Sequence, residues 1–400
     1  MNNLFKVVQL NDEKKIGILK SEASSSVKST KIFPIYFIDG KKMIYKPLSK
    51  TKPLTTPFFA YSEVYWSYII QKYFDKDAPR YYLAKSNNID DDNSKYYDKG
   101  VLVESLTKDN EELINLYDYF IENPDSLVDI KDYINYCMTN YDYTKILQSE
   151  FINCNKELGE GLAYQILLSV LRQDQNFHYE NINFIKREGD LVLASPIDFE
   201  FSTPFLYPDN NKMYEYYQSS YFGCLSIEYE EDEMAKAIKI FSLKSGFDTK
   251  SKLTKNICFI VKNYPNVVLK FIKKLETLLL DLSDIKLSDS DNYIGNLNSE
   301  YWMVGHAFYK EKDMQKYEEL NDKIKLKEIN KDIIFERINA DILFFAKWFH
   351  LLLKTYMFSF YKGISIDDLT MKQVIEMLNH SNLDIEELNL ENNLVRKKDK

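Results

Sequence analysis

The stretch 171–202, LRQDQNFHYENINFIKREGDLVLASPIDFEFS, constrains this chain more than any other. Ahead of it, Ala163–Leu171 places apolar residues at i, i+3, i+4 and i+7, the spacing of a buried helix face. Arg172 to Glu180 is polar and reads as a loop outside the core. Asn181–Ile185 alternates as a strand does, Arg187–Asp190 turns, and Leu191–Leu193 returns. Pro196-Ile197-Asp198-Phe199 then sets a carboxylate directly after the returning strand. A short hairpin thus joins the amide of Asn181 to the carboxylate of Asp198 and fixes their separation. Two oxygen donors held in that way suit a hard divalent cation. Asp and Asn are also ordinary turn residues at hairpin ends. The set as a whole favours a site, with His178 three residues before Asn181 and an apolar helix upstream.

Composition narrows the class. With 400 residues and 45% hydrophobic content, the chain can bury a sizeable core as one two-lobed unit or two domains. Its 31 Tyr and 25 Phe follow the residue usage of an AT-rich genome, so a single tyrosine carries little functional information. A net charge of −9 argues against a direct nucleic-acid partner, which needs clustered Lys and Arg against its phosphates. Cys137, Cys154, Cys224 and Cys258 are far apart, so neither a disulfide framework nor a zinc site is expected and a reducing compartment is the default. Met1–Lys6 opens no signal peptide, and no apolar run approaches a membrane span. A soluble, cytoplasmic protein with no membrane partner is expected.

Along the chain, Leu4–Val8 and Ile16–Leu19 predict edge strands or a small N-terminal hairpin. Ser21–Thr30 is a loop of small residues with no capacity for core. Lys31–Ile38 reads as a strand, Asp39-Gly40 as a hairpin turn and Lys42–Pro47 as the returning strand, where Pro47 stops regular pairing just after Lys46. Phe59–Phe74 predicts an amphipathic helix, with Ser62 as N-cap and Glu63 in its first turn. Arg80–Ala84 and Gly100–Ser105 predict two more strands, separated by the acidic, Asn-rich loop 87–98. From Thr107 onward the chain reads as helical apart from the hairpin, with helices such as Val267–Leu280 and the apolar 338–361. The acidic run Glu228–Glu233 reads as a solvated helix start, otherwise as a site for a cationic substrate or partner, and His350 as packed on an aromatic face.

A hairpin, a helix, two strands and then a helical half carrying a second hairpin is the element order of a bilobal kinase. At Asn176–Asn181 and Ser195-Pro196-Ile197-Asp198 the chain resembles the HipA-like serine/threonine kinases, whose loop runs D-R-H-x-x-N before a strand, a hairpin and the metal-binding Asp. The resemblance covers roughly residues 15–205. It implies an α+β, bilobal protein-kinase-like fold, with a small β-rich N-lobe at 1–106 and a large, mainly helical C-lobe at 107–400. It implies ATP and Mg²⁺ as cofactors, with Asn181 and Asp198 as metal ligands. Lys46 looks like the lysine that neutralises ATP phosphate, and Glu63 like the helix glutamate that holds it. Val103-Glu104-Ser105 looks like the hinge that hydrogen-bonds adenine through its backbone. The Ser-rich loop, with Ser24, Ser25 and Ser26, stands at the phosphate-loop position without a Gly-x-Gly-x-x-Gly pattern, and some related kinases are regulated by phosphorylation of a serine there.

One departure bears on chemistry. The family's general base is an Asp five residues before the metal Asn, and this chain has Asn176 there. An amide cannot accept the substrate proton as a carboxylate does. Asp174 is the nearest carboxylate able to substitute, and His178 corresponds to a residue that braces the loop. The partner implied is a protein substrate or a cognate regulatory protein. Asn176 favours instead a silent pseudokinase that binds nucleotide or a partner, whereas Lys46, Glu63, Asn181 and Asp198 favour an active enzyme. The segment Ile197–Glu200 also resembles the aminoglycoside and choline kinases, which phosphorylate small cationic alcohols. The helix running without a gap into the loop fits the HipA-like pattern better.

Overall fold

The computed structural model describes residues 7–22, 30–49, 57–86, 96–108, 110–116, 118–119, 143–172, 181–187, 190–197, 199, 252–283, 342, 346, 349–350, 352–361 and 363. These form a mixed α+β protein whose chain divides into two compact units. One unit comprises Met1–Met138, Leu168–Pro208 and Asp281–Leu343; the other comprises Thr139–Leu167, Asp209–Leu280 and Phe344–Lys400.

The first unit is built on β1 (Val8–Leu10), β2 (Lys15–Glu22), β3 (Thr30–Ile38), β4 (Lys41–Ser49), α1 (Pro57–Ile69), β5 (Tyr81–Ser86) and β6 (Tyr96–Glu104). The six strands form one sheet in the order β1-β5-β6-β4-β3-β2. All neighbours are antiparallel except β1, which runs parallel to β5. The N-terminal runs are therefore the two edge strands and do not pair as a hairpin. Asp39 and Gly40 both take positive φ, 50° and 78°, which a two-residue type I′ connection between β3 and β4 requires. Pairing of β4 with β6 continues past Pro47 to Ser49, with a register irregularity where the proline has no N–H to donate.

Side-chain alternation gives this sheet two working faces. Tyr36, Met43, Tyr45, Ala84 and Leu102 form a buried cluster with Leu10 on one face. Tyr36 and Tyr45 meet edge to face, with ring centroids 6.3 Å apart. The opposite parity carries Ile44, Lys46, Leu83, Val101 and Val103, by register of β4, β5 and β6. Helix α1 covers this face, and its Val64, Trp66 and Ile69 are buried. The helix begins at Pro57, where a missing N–H costs nothing because the first turn has no acceptor for it. Ser62 lies inside the helix and is not its N-cap. The helix ends in a π turn, Ile70–Phe74, in which the Asp75 N–H donates to the Ile70 carbonyl at 2.7 Å.

The predicted second hairpin is β8 (Asn183–Arg187) and β9 (Asp190–Leu193), and it gains a third strand, β7 (Glu112–Asn115), in the order β7-β8-β9. Glu112–Asn115 lies in a stretch whose sequence reads as mostly helical, yet it is a strand. Its buried Ile114 is paired opposite Phe184 on β8, and that pairing decides its conformation. Between β7 and β8 in sequence lie α2 (Thr144–Gln148), α3 (Glu150–Asn153) and α4 (Lys156–Arg172).

In the second unit, α2, α3 and α4 as far as Leu167 are accompanied by α5 (Lys252–Asn263), α6 (Pro265–Ser283) as far as Leu280, and helical residues 352–361. Asn256 accepts from the Tyr143 N–H at 2.9 Å, and the Phe271 ring lies edge-on to Tyr164 and Phe349. His350 meets a carboxylate rather than only an aromatic face: its Nε2 is 2.9 Å from Glu276 Oε1, and Lys354 Nζ reaches the same oxygen at 2.9 Å. These contacts hold the Glu276 pKa at about 2, the histidine hydrogen bond contributing most and the lysine adding to it. Among the described residues, Cys154 and Cys258 are free thiols, and no helix is long and apolar enough to cross a membrane.

Candidate functional site

Lys46 sits on β4 on the face that α1 covers, and α1 carries Glu63 from the opposite side. Lys46 Nζ donates to Glu63 Oε1 at 2.9 Å. The glutamate side chain is only 3% exposed, while the lysine keeps 25% of its surface in solvent. This asymmetry matters chemically. A buried carboxylate holds the ammonium in one place, while a quarter of the lysine side chain remains in contact with solvent. Such a pair is costly to desolvate, so it argues for a held geometry more than for stability.

At the far end of β6, Val103 shares the α1-side face, whereas Glu104 points to the other. There Glu104 Oε1 accepts from Lys41 Nζ at 2.7 Å and from the Tyr82 hydroxyl at 3.1 Å. Burial pushes the Tyr82 pKa up, and the Glu104 charge adds to it. The backbone N–H of Glu104 donates to the Arg80 carbonyl and that of Ser105 to the Lys42 carbonyl, at 3.0 and 2.9 Å. Both amides of this segment are therefore used within the protein. The Ser105 hydroxyl closes a small turn by bonding to the Thr107 carbonyl at 3.1 Å.

The hairpin side is anchored by packing. Asn181 is half-buried immediately before β8, and Ile182, Asn183 and Phe184 are buried. The Ala194 N–H donates to the Asn183 carbonyl at 2.8 Å, which closes the hairpin at its open end. Among the described residues, nothing accepts from the buried Asn183 Nδ2. Arg172, expected outside the core, is 1% exposed, and its guanidinium carbon stands 4.7 Å over the Phe199 ring. The helix keeps its buried face through its last residue, and a cation over an aromatic face is the arrangement that makes burial tolerable. Phe199 is fully buried and also meets the Tyr81 ring at 5.1 Å. Asp198, Asp174, Asn176 and His178 lie outside the described residues, as do Ser24, Ser25 and Ser26.

Two further polar residues, which sequence reading did not single out as a pair, meet here. Ser195 Oγ donates to Asp75 Oδ2 at 2.7 Å. Nothing in the spacing of residues 120 apart announces such a contact.

No protein-family profile matches the chain, and no curated protein matches it in sequence. Among solved structures, it is similar to a proinflammatory kinase, CtkA, of Helicobacter pylori, at 12% identity and a TM-score of 0.34, over 86% of this chain and 94% of that one. A TM-score this low does not establish a shared fold.

Proposed function

We propose that this protein is an ATP- and Mg²⁺-dependent phosphotransferase acting on a serine or threonine hydroxyl of a protein, in the manner of the HipA-like kinases. The single observation that supports it is the Lys46–Glu63 pair. A strand lysine is held by a buried glutamate from the following helix, which is the pairing that phosphoryl-transfer enzymes of the protein-kinase type use against nucleotide phosphates.

The residues present fit the cofactors in two respects. The Lys46 side chain is held by Glu63 and keeps a quarter of its surface in solvent, which suits contact with a polyphosphate. Asn181 precedes β8, and Asp198 follows β9 in sequence; both offer oxygen donors, the chemistry a hard cation prefers. Bound ATP would supply the phosphoryl group, with Mg²⁺ screening its charge. In this reading Lys46 holds the phosphates, Glu63 holds Lys46, Asn181 and Asp198 hold the metal, and Asp174 takes the proton of the attacking hydroxyl in place of Asn176. Ser24, Ser25 and Ser26 would face the phosphates in this reading. Since the Glu104 and Ser105 amides donate internally, a base along 103–105 would be recognised through other backbone groups of that segment.

A second reading, a silent pseudokinase, is favoured by Asn176 alone. The decisive experiment is transfer of labelled phosphate from Mg·ATP to the protein itself and to a lysate, with Asp174→Asn and Asn176→Asp alongside. Abolished transfer in Asp174→Asn supports the active enzyme. Transfer absent in the natural chain and acquired by Asn176→Asp supports the silent one.

A further inference from the structure

We infer that the Asp75–Ser195 hydrogen bond is a positioning contact, which aligns the segment bearing Asp198 with the helix bearing Glu63; this rests on the phosphotransferase reading above. Asp75 is not a loose surface acid. Its N–H closes the π turn on Ile70, its Oδ1 accepts from the Asp77 N–H at 3.0 Å, and its Oδ2 accepts from Ser195 Oγ at 2.7 Å. A carboxylate engaged on both oxygens and tied through its own backbone is a rigid acceptor, and hydrogen bonds to a charged acceptor are the stronger kind.

On the other side of the contact, Ala194, Ser195 and Phe199 are each held. Ala194 is bonded to Asn183 at the base of the hairpin, and Ser195 to Asp75. Phe199 is buried against Tyr81 and under Arg172. Asp75 and Tyr81 both belong to the short passage from the π turn into β5. The segment 195–199 is therefore fastened twice to the same passage, the one that connects the Glu63 helix to the sheet. A side chain four residues before Phe199 and three before Asp198 is well placed to set the register of what lies between. The hydroxyl–carboxylate bond is the one directional contact of the pair, since ring packing alone tolerates sliding.

The test uses the full chain, with Ser195→Ala, Ser195→Thr, Asp75→Ala and the Asp75→Ala/Ser195→Ala double variant. Two readouts are taken: ATP affinity by calorimetry with and without Mg²⁺, and amide hydrogen exchange of 194–199 without any ligand. We expect each Ala variant to lose about tenfold of the Mg²⁺-dependent gain in ATP affinity. Magnesium-free affinity should stay within about twofold, the double variant should be no worse than either single one, and Ser195→Thr should recover the gain. Exchange at 194–197 should quicken in the Ala variants only. An undiminished Mg²⁺ gain in the Ala variants, or equal losses with and without Mg²⁺, overturns the positioning role and leaves the phosphotransferase reading standing. Absence of Mg²⁺-dependent ATP binding in the natural chain overturns that reading, and this role with it.

Discussion

Gly100 on β6 passes so close to Lys46 on β4 that a Cβ built on the glycine would overlap the Lys46 carbonyl oxygen, with Pro47 Cα 2.8 Å and Tyr45 Cε2 2.9 Å away. Two of those three neighbours are backbone and cannot turn aside. The tight approach lies directly behind the residue that carries the ammonium. Gly100→Ala should therefore force β4 and β6 apart, costing about 1–3 kcal/mol. A lower thermal midpoint together with weakened ATP binding is expected; an unchanged midpoint would mean that the strands absorb the methyl group.

Removing the lysine tests the site directly. Lys46→Ala should weaken Mg·ATP binding by about 10- to 100-fold, the range for a lost hydrogen bond between charged groups. It also strips the buried Glu63 of this cation, so denaturant unfolding should show a loss on the order of 3 kcal/mol. Glu63→Gln should keep more of the stability and still lower the affinity, because the ammonium is no longer held. Calorimetry and urea melts on the two variants separate the effects.

Asp198→Ala should abolish the Mg²⁺ dependence of ATP affinity while leaving the magnesium-free value nearly intact. Equal Mg²⁺-dependent affinity in both proteins would remove Asp198 from the metal role.

The Glu276 cluster predicts a pH dependence with a definite sign. Its carboxyl is lowered from 4.5 to about 2 by His350 first and Lys354 second. A depressed carboxyl stabilises the fold above its ordinary pKa and loses that contribution as it protonates. Stability from this contact should thus be complete above about pH 4.5 and fall away toward pH 2. Glu276→Gln should flatten the thermal midpoint across that window; an identical slope in both proteins would assign the acid sensitivity elsewhere.

Incubation with Mg·ATP should add phosphate within the Ser-rich loop 21–30, and the modified protein should bind ATP more weakly through like-charge repulsion. Mass spectrometry reads the first and calorimetry the second. Phosphate found only outside that loop, or nowhere, excludes the regulatory role.

Much of the local structure was legible because it is encoded locally. Asp39-Gly40 announced its turn, and the alternation in 31–47 announced the strands on either side. Lys46 and Glu63 were legible as partners because a strand and the helix after it pack face to face over a short connection. What escaped was decided by distant partners. Glu112–Asn115 is a strand because Asn183–Arg187 pairs with it, about 70 residues away, against the helical character of its surroundings. Arg172 is buried because Phe199 offers its ring, and Asp75 matters because Ser195 reaches it. A polar residue's own letter carries no sign of such company. Ser62 misled for a different reason: a proline opening the helix five residues earlier outranked a hydroxyl cap.

The short strand β1 has a consequence for the behaviour of the molecule in solution. By lying parallel along Ala84–Ser86, Val8–Leu10 occupies backbone groups that β5 would otherwise present to its surroundings, and it buries Leu10. This strand of only three residues thereby covers Ala84–Ser86, the second half of the six-residue Tyr81–Ser86 edge. Long uncovered edges recruit strands from other molecules, whereas very short ones do so poorly. Val8–Leu10 thus act as a guard against self-association. Trimming them away would bare that stretch of β5 as a template for aggregates.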